Sequence, residues 1–273
     1  MRRLADNILG LLVVCLSIAT IVFLVTPLLI ATVMSFDSRD FLGAFPPPSL
    51  SLQWYVGFFS DASYLKGLQV SLILALAATA LSSLFGVAAA FTLDRYRFPG
   101  KDTLSAFFLS PLVVPHVIIG FSLLLFFSTI GVFDGWVRLI GGHLIITVPY
   151  VIRTTLASLV GIRKSLTEAA LILGATERRS FWRVTVPLAK TGIAAGAVFA
   201  FAYSMDDVSV SLFLTGPDFY TLPVAMTTAM RSEFDLRIAA AAVCLIVLTI
   251  ALIWVLDRVV GLDKVIGQGV YHK

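Results

Sequence analysis

Two adjacent carboxylates, Asp206 and Asp207, stand in the segment "SMDDVSVS" (204–211), inside a stretch that is otherwise apolar from Gly192 to Leu214. An ionised acid at the centre of a bilayer costs roughly 2.5–3.5 kcal/mol on insertion scales, so it faces a cavity or a partner rather than lipid. On a continuous helix, Asp207 shares a stripe with Ser204 and Ser211, three residues before it and four after, while Asp206 points about 100° away. Three chemistries fit such a pair. A carboxylate can line a cavity and attract a cation, pair with an Arg or a helix amino end of another chain, or accept hydrogen bonds from backbone freed at a break in the span. Hydrolysis does not fit: the two acids diverge around one helix, and no G-x-S-x-G setting surrounds Ser204.

A second polar point lies in "SPLVVPHVIIG" (110–120). Pro111 and Pro115 each remove one helical hydrogen bond and clash with the preceding turn, so the segment is expected to bend or open there. Irregular backbone at membrane depth survives where it is buried or lines a cavity. His116 follows directly, either as a structural hydrogen-bonding group or as part of a path. Pro111, Pro115, His116, Ser204, Asp206, Asp207 and Ser211 are thus the candidates for a translocation pathway or gate.

The elements that must hold these residues are membrane helices. Of 273 residues, 59% are hydrophobic and 13% charged, against about 25% charged in soluble domains. A helix needs about 20 mainly apolar residues to cross the hydrocarbon core. Six stretches qualify, near 8–34, 67–93, 103–130, 143–160, 191–214 and 237–257, which makes residues 1–273 a single all-α membrane domain. The first is longer than the roughly 7–15 residues of a signal peptide's apolar region and reads as a retained span. With both termini cytoplasmic, 14 Lys and Arg fall in inner segments and 5 in outer ones, leaving Arg153 inside the fourth span; positive residues in short loops stay inside. The net charge of +4 therefore describes the cytoplasmic face. No basic domain for nucleic acid exists.

Small residues recur at helical spacing on the second span (Ala75, Thr79, Ser82, Gly86, Ala90) and the fifth (Gly192, Gly196, Ala200, Ser204), which marks both as packed against protein. Between spans one and two, three prolines (46–48) and the aromatic residues Trp54, Tyr55, Phe58 and Phe59 suit an interfacial anchor among membrane lipids. Cys15 and Cys244 lie in separate spans as apolar fillers, and no metal-ligand spacing occurs.

The largest inner loop, residues 161–190, reads "GIRKSLTEAALILGATERRSFWRVTVPLAK". "SLTE" has the form of a capping box between Ser165 and Glu168, Gly174 is a natural helix stop, Thr176 can cap a second short helix, and Pro187 is expected to end the segment before span five. The result is a helix–turn–helix elbow suited to docking something cytoplasmic.

Glu168-Ala169-Ala170, three residues, Gly174, nine residues, then Val184-Thr185-Val186-Pro187 resembles the EAA loop of bacterial ABC importer permeases, with Val where that pattern prefers Ile and Leu. The resemblance extends to "YRFPGK" (96–101), "SPLVVP" (110–115), "SMDDVSVSLFLTGP" (204–217) and "TLP" (221–223), which look like the second membrane subunit of spermidine/putrescine importers. Their group also includes permeases for opines and aminophosphonates. It implies the type I importer permease fold, with Glu168, Ala169, Ala170, Gly174 and Pro187 in an ATPase-coupling loop. It also implies a cytoplasmic ATPase dimer, a second homologous permease, a periplasmic or extracellular solute-binding protein, and alternating access in a bacterial inner membrane. This chain has no G-x-x-x-x-G-K-[ST] loop, so no cofactor is expected in it and ATP with Mg would sit on the partner ATPase. A proton-coupled secondary transporter would account for the acids but not for the elbow, and six spans lack the paired halves usual there.

Overall fold

The computed structural model describes residues 2–232 and 235–260; Lys264 and Lys273, counted above as cytoplasmic, lie outside them. The described helices in chain order are α1 (Arg2–Met34), α2 (Gln53–Ser60), α3 (Ala62–Arg95), α4 (Lys101–Leu109), α5 (His116–Thr129), α6 (Gly135–Val160), α7 (Lys164–Ile172), α8 (Glu177–Ser180), α9 (Val186–Asp206), α10 (Ser211–Leu214), α11 (Leu222–Ser232) and α12 (Arg237–Val260). Among the described residues, four helices are long and apolar enough to cross a membrane: Leu9–Met34, Ala62–Arg95, Gly135–Val160 and Glu177–Asp206. A further pair, Lys101–Leu112 and His116–Thr129, is long and apolar enough only when taken together, as one broken span or a re-entrant loop; its two helices meet at 103°, where Pro111 and Pro115 interrupt the ladder. The stretch expected as the sixth span is helical in α12, with a shorter apolar run over Arg237–Leu252.

Two expected boundaries move. The helix placed at 143–160 starts at Gly135, because the Asp134 carboxylate accepts from the Val137 amide at 2.9 Å and caps it eight residues earlier. The helix placed at 191–214 instead spans Glu177–Asp206 and ends at the acidic pair. The chain is extended at Asp207, with ψ 123°, and α10 is a separate four-residue helix.

Backbone contacts group the chain into two compact units, Met1–Ala62 with Met226–Val247, and Ser63–Ala225 with Leu248–Lys273. In the first, α1 is exposed to its surroundings along most of its length. Its hydroxyls do not oppose a lipid setting: Ser17, Thr20, Thr26 and Thr32 each donate to the carbonyl four residues back, at 2.6–2.8 Å. The loop that follows is pinned by Asp37. Its carboxylate accepts from the Arg39 amide and guanidinium, and its carbonyl accepts from Trp54 Nε1 at 2.8 Å. The Arg39 hydrogen bonds hold the Asp37 carboxyl below its ordinary 3.8. At the start of α12, Arg237 bridges Asp61 at 2.9 Å and Asp235 at 2.5 Å.

The second unit is organised on α6 and α9, which run antiparallel in close contact. Val151 of α6 is fully buried between two glycines. A Cβ on Gly86 of α3 would stand 2.7 Å from the Val151 Cβ, and one on Gly196 of α9 would stand 2.9 Å from its Cα. Any side chain at either position would force the helices apart, which is why the small-residue rows occur there. Toward the other end of α6 an apolar cluster of Val70, Leu74, Ile119, Phe127, Leu139, Ile146, Val210 and Leu214 joins α3, α5, α6 and α10. Through Val210 and Leu214 that cluster holds the segment that follows the break after α9.

Candidate functional site

The break after Asp206 frees the amides of the next turn, and Asp207 takes them. Its Oδ2 accepts from the Val210 amide at 3.1 Å, the Ser211 amide at 2.8 Å and the Ser211 hydroxyl at 3.0 Å. Asp207 is 7% exposed. Hydrogen bonds to the charged form are what make a buried carboxylate tolerable. The stripe of Ser204, Asp207 and Ser211 drawn on a continuous helix therefore does not exist as such, yet the three residues do come together, through a corner rather than along a face.

The residue that joins them is His143, which the sequence reading passed over. Fully buried on α6, it places Nδ1 2.7 Å from Ser204 Oγ and Nε2 3.0 Å from Ser211 Oγ, with Nε2 3.9 Å from Asp207 Oδ2. The hydroxyl of Thr147 donates to the His143 carbonyl and lies 2.6 Å from Ser82 Oγ on α3. The signal was available: His143, Thr147, Thr154 and Ser158 form a polar row at helical spacing on an apolar helix, and Gly192 and Gly196 of α9 pack on it.

Asp206 has the opposite surroundings. It is exposed, and no hydrogen bond or ion pair of its carboxylate occurs among the described residues. His116 begins α5 directly after Pro115, which occupies the N-cap position, while Pro111 lies in a 3-10 turn over Ser110–Leu112. The His116 ring is 2.7 Å from the Tyr203 hydroxyl through Nδ1. The structure thus gathers Ser204, Asp207 and Ser211 into one buried network and sets His116 with Tyr203, one helical turn before Asp206.

At the other end of α9 lies the elbow. The expected capping box is absent. Only residues 161–163 separate α6 from α7, so Arg163 becomes the N-cap and Ser165 and Glu168 lie within the helix, with no side-chain cap. The stop at Gly174 is a Schellman turn: φ is +85°, the Gly174 amide donates to the Leu171 carbonyl, and the Ala175 amide donates to Ala170, both at 3.0 Å. Thr176 caps the second helix by accepting from the Arg179 amide at 3.3 Å. Pro187 does not end the segment. A π-helical turn over Phe181–Thr185, closed by the Val186 amide on the Phe181 carbonyl, lets the helix pass through a residue with no amide hydrogen. Glu168 and Ala169 are exposed, Ala170 is half-buried, and Ile172 and Leu173 are 85% and 87% exposed. Glu168 also borders a cavity of about 440 Å³ with Asp94, Arg95, Thr167 and Thr185.

Residues 82–261 match the family described as the binding-protein-dependent transport system inner membrane component. The chain belongs to that family. This permease is 32% identical over 247 residues to the spermidine/putrescine transport system permease protein PotC of Shigella flexneri, covering 90% of its own length and 92% of the relative's. It is 31% identical over 227 residues to the putrescine transport system permease protein PotI of Escherichia coli (strain K12), covering 81% and 80%. In a bacterial alginate ABC transporter in complex with an alginate pentasaccharide-bound periplasmic protein, one chain has the same fold, with a TM-score of 0.73 and 17% identity over 93% of each chain. The permease is accordingly a membrane transport subunit of an ABC importer, with the type I permease fold, and not an enzyme. Such permeases work beside a binding protein and ATPase subunits.

Proposed function

We propose that this permease carries a polyamine-like cation inward by alternating access, coupled through residues 161–190 to a cytoplasmic ATPase dimer and paired with a second homologous permease. In this reading six spans place both termini in the cytoplasm, and a periplasmic or extracellular binding protein delivers the solute. The observation that carries it is the elbow. Its backbone is locked by a Schellman turn and a cap, while Leu166, Leu171, Ile172 and Leu173 stand exposed on it. Apolar side chains held out on rigid backbone fit a partner's groove. Glu168, Ala169, Ala170 and Gly174 form the contact core. Pro187 sits in the helix that transmits the tilt, since Glu177–Asp206 runs unbroken from the elbow to the acidic corner.

The polyamine assignment rests on the names of the relatives and on an exposed acid, Asp206, in the membrane region. Asp207, its carboxylate already occupied, serves as the gate's structural corner. Glu168→Lys and Gly174→Asp should each abolish uptake of labelled spermidine and stimulation of ATPase by the liganded binding protein, at unchanged membrane levels of the chain. Normal coupling in both variants would remove the docking role.

A further inference from the structure

Asp206 does not stand on bare helix. Phe199, Tyr203 and Asp206 fall on one face of α9 at intervals of four and three residues. Tyr150 of α6 lies against that face, its ring centroid 4.9 Å from Tyr203 and 6.3 Å from Phe199, nearly parallel to the latter at 23°. His116 closes the outer side, edge-on to Tyr203 at 5.4 Å. One turn past Tyr150, away from Asp206, is Arg153, exposed and without an ion pair or hydrogen bond among the described residues. Two unpaired charges on this face are incompatible with lipid contact, where each would cost roughly 2.5–3.5 kcal/mol near the midplane. The face is therefore turned away from lipid, toward a polar space or the partner permease.

We infer that this face is a binding lane for an elongated organic cation bearing an ammonium at each end of a methylene chain. The inference rests on the reading of the chain as a cation importer and adds the site. One ammonium meets Asp206, where the carbonyl end of α9 adds partial negative charge. The methylenes lie over Tyr203 and Tyr150, and a further ammonium reaches the Phe199 ring, held by the quadrupole of the aromatic face. Asp206 and Phe199 are seven residues apart, roughly 10 Å along the helix. Arg153 bounds the lane, because an ammonium beyond Tyr150 meets like charge. Asp207, bonded to backbone and flanked by His143, is not part of it.

The geometry orders solutes by length. A triamine reaches from Asp206 to Phe199, whereas a shorter diamine occupies the acid end. The test is uptake of tritiated spermidine and putrescine by cells carrying the complete importer, with assembly of the complex measured by co-purification. Asp206→Asn should lower both rates about tenfold. Phe199→Leu should lower spermidine uptake about tenfold and putrescine about twofold, and Phe199→Tyr, which keeps the ring, should restore the ratio. Tyr150→Leu gives the same shift in ratio should Phe199→Leu fail to assemble. A general defect lowers both solutes equally, so an unchanged ratio in the ring variants, or wild-type uptake in Asp206→Asn, overturns the lane while leaving the cation importer standing. A wild-type complex that imports neither amine overturns the cation reading and the lane together.

Discussion

The two ends of the Glu177–Asp206 helix solve the same problem in opposite ways. At each end the chain breaks and backbone groups lose helical partners. At Asp206–Ser211 a buried side chain takes up the freed amides, and His143, Ser204 and Ser211 close a network around it. At the elbow the backbone closes on itself through Gly174, and a surface threonine supplies the one cap. At the first end Asp207 is buried and fully used by the break, and only the neighbouring Asp206 is left exposed; the second uses almost no side chains on the break and leaves them free for a partner. A corner that satisfies itself is a fixed point, and an elbow that does not is an interface.

The sharpest way to break this contrast is to remove the acid that makes the corner. Asp207→Ala strands two amides in a buried site, at about 1–3 kcal/mol each, and leaves the Ser211 hydroxyl with His143 alone, so the purified complex should melt well below wild type and uptake should vanish. Asp207→Asn keeps an acceptor oxygen and should recover part of the stability. A wild-type melting curve for Asp207→Ala would mean that water, not the protein, satisfies the break. The same substitutions at exposed Asp206 should leave the melting curve alone and act on transport only.

The two ends also differed in how legible they were. The elbow could be read because its determinants are local: Gly174 needs a positive φ, Thr176 needs only the amide three residues on, and the E-A-A spacing is a linear pattern. The capping box misled because connection length, not residue type, decided where α7 starts. The corner could be read from its own segment only in part: a carboxylate accepting from backbone freed at a break was one of three readings of the acidic pair, and Asp207 does this, but the segment does not say where the break falls. "SMDDVSVS" continues an apolar run with no Gly or Pro to announce a break, and the residue that closes the network around Asp207 is His143, some sixty residues earlier. Pro187 erred the other way, a breaker accommodated by a π turn that no single residue signals. The spans and small-residue rows were visible because lipid imposes composition and close packing imposes size.

His143 tests whether the corner is held by its network or by Asp207 alone. His143→Leu keeps the bulk and removes the ring nitrogens that meet Ser204 and Ser211. Interhelical hydrogen bonds in membranes are worth about 0.6 kcal/mol on average, up to about 1.7, so the expected destabilisation is smaller than for Asp207→Ala. His143→Gln should restore one contact. Should His143→Leu melt as low as Asp207→Ala, the histidine is an equal partner and the corner a unit rather than an acid with neighbours.

Gly174→Ala is the smallest change and bears on the elbow alone. Nothing lies within 4 Å of where its Cβ would be, so no clash contributes. What remains is the left-handed conformation at φ +85°, which costs a residue with a Cβ roughly 1–2 kcal/mol. That energy falls on a loop held by few contacts, so global melting should barely move while the Schellman turn loosens. ATPase stimulation by the binding protein should then fall severalfold at unchanged complex assembly, and Gly174→Asn, a residue better suited to positive φ, should fall less. Equal effects of Ala and Asn would tie the requirement at this position to the partner's surface rather than to the turn.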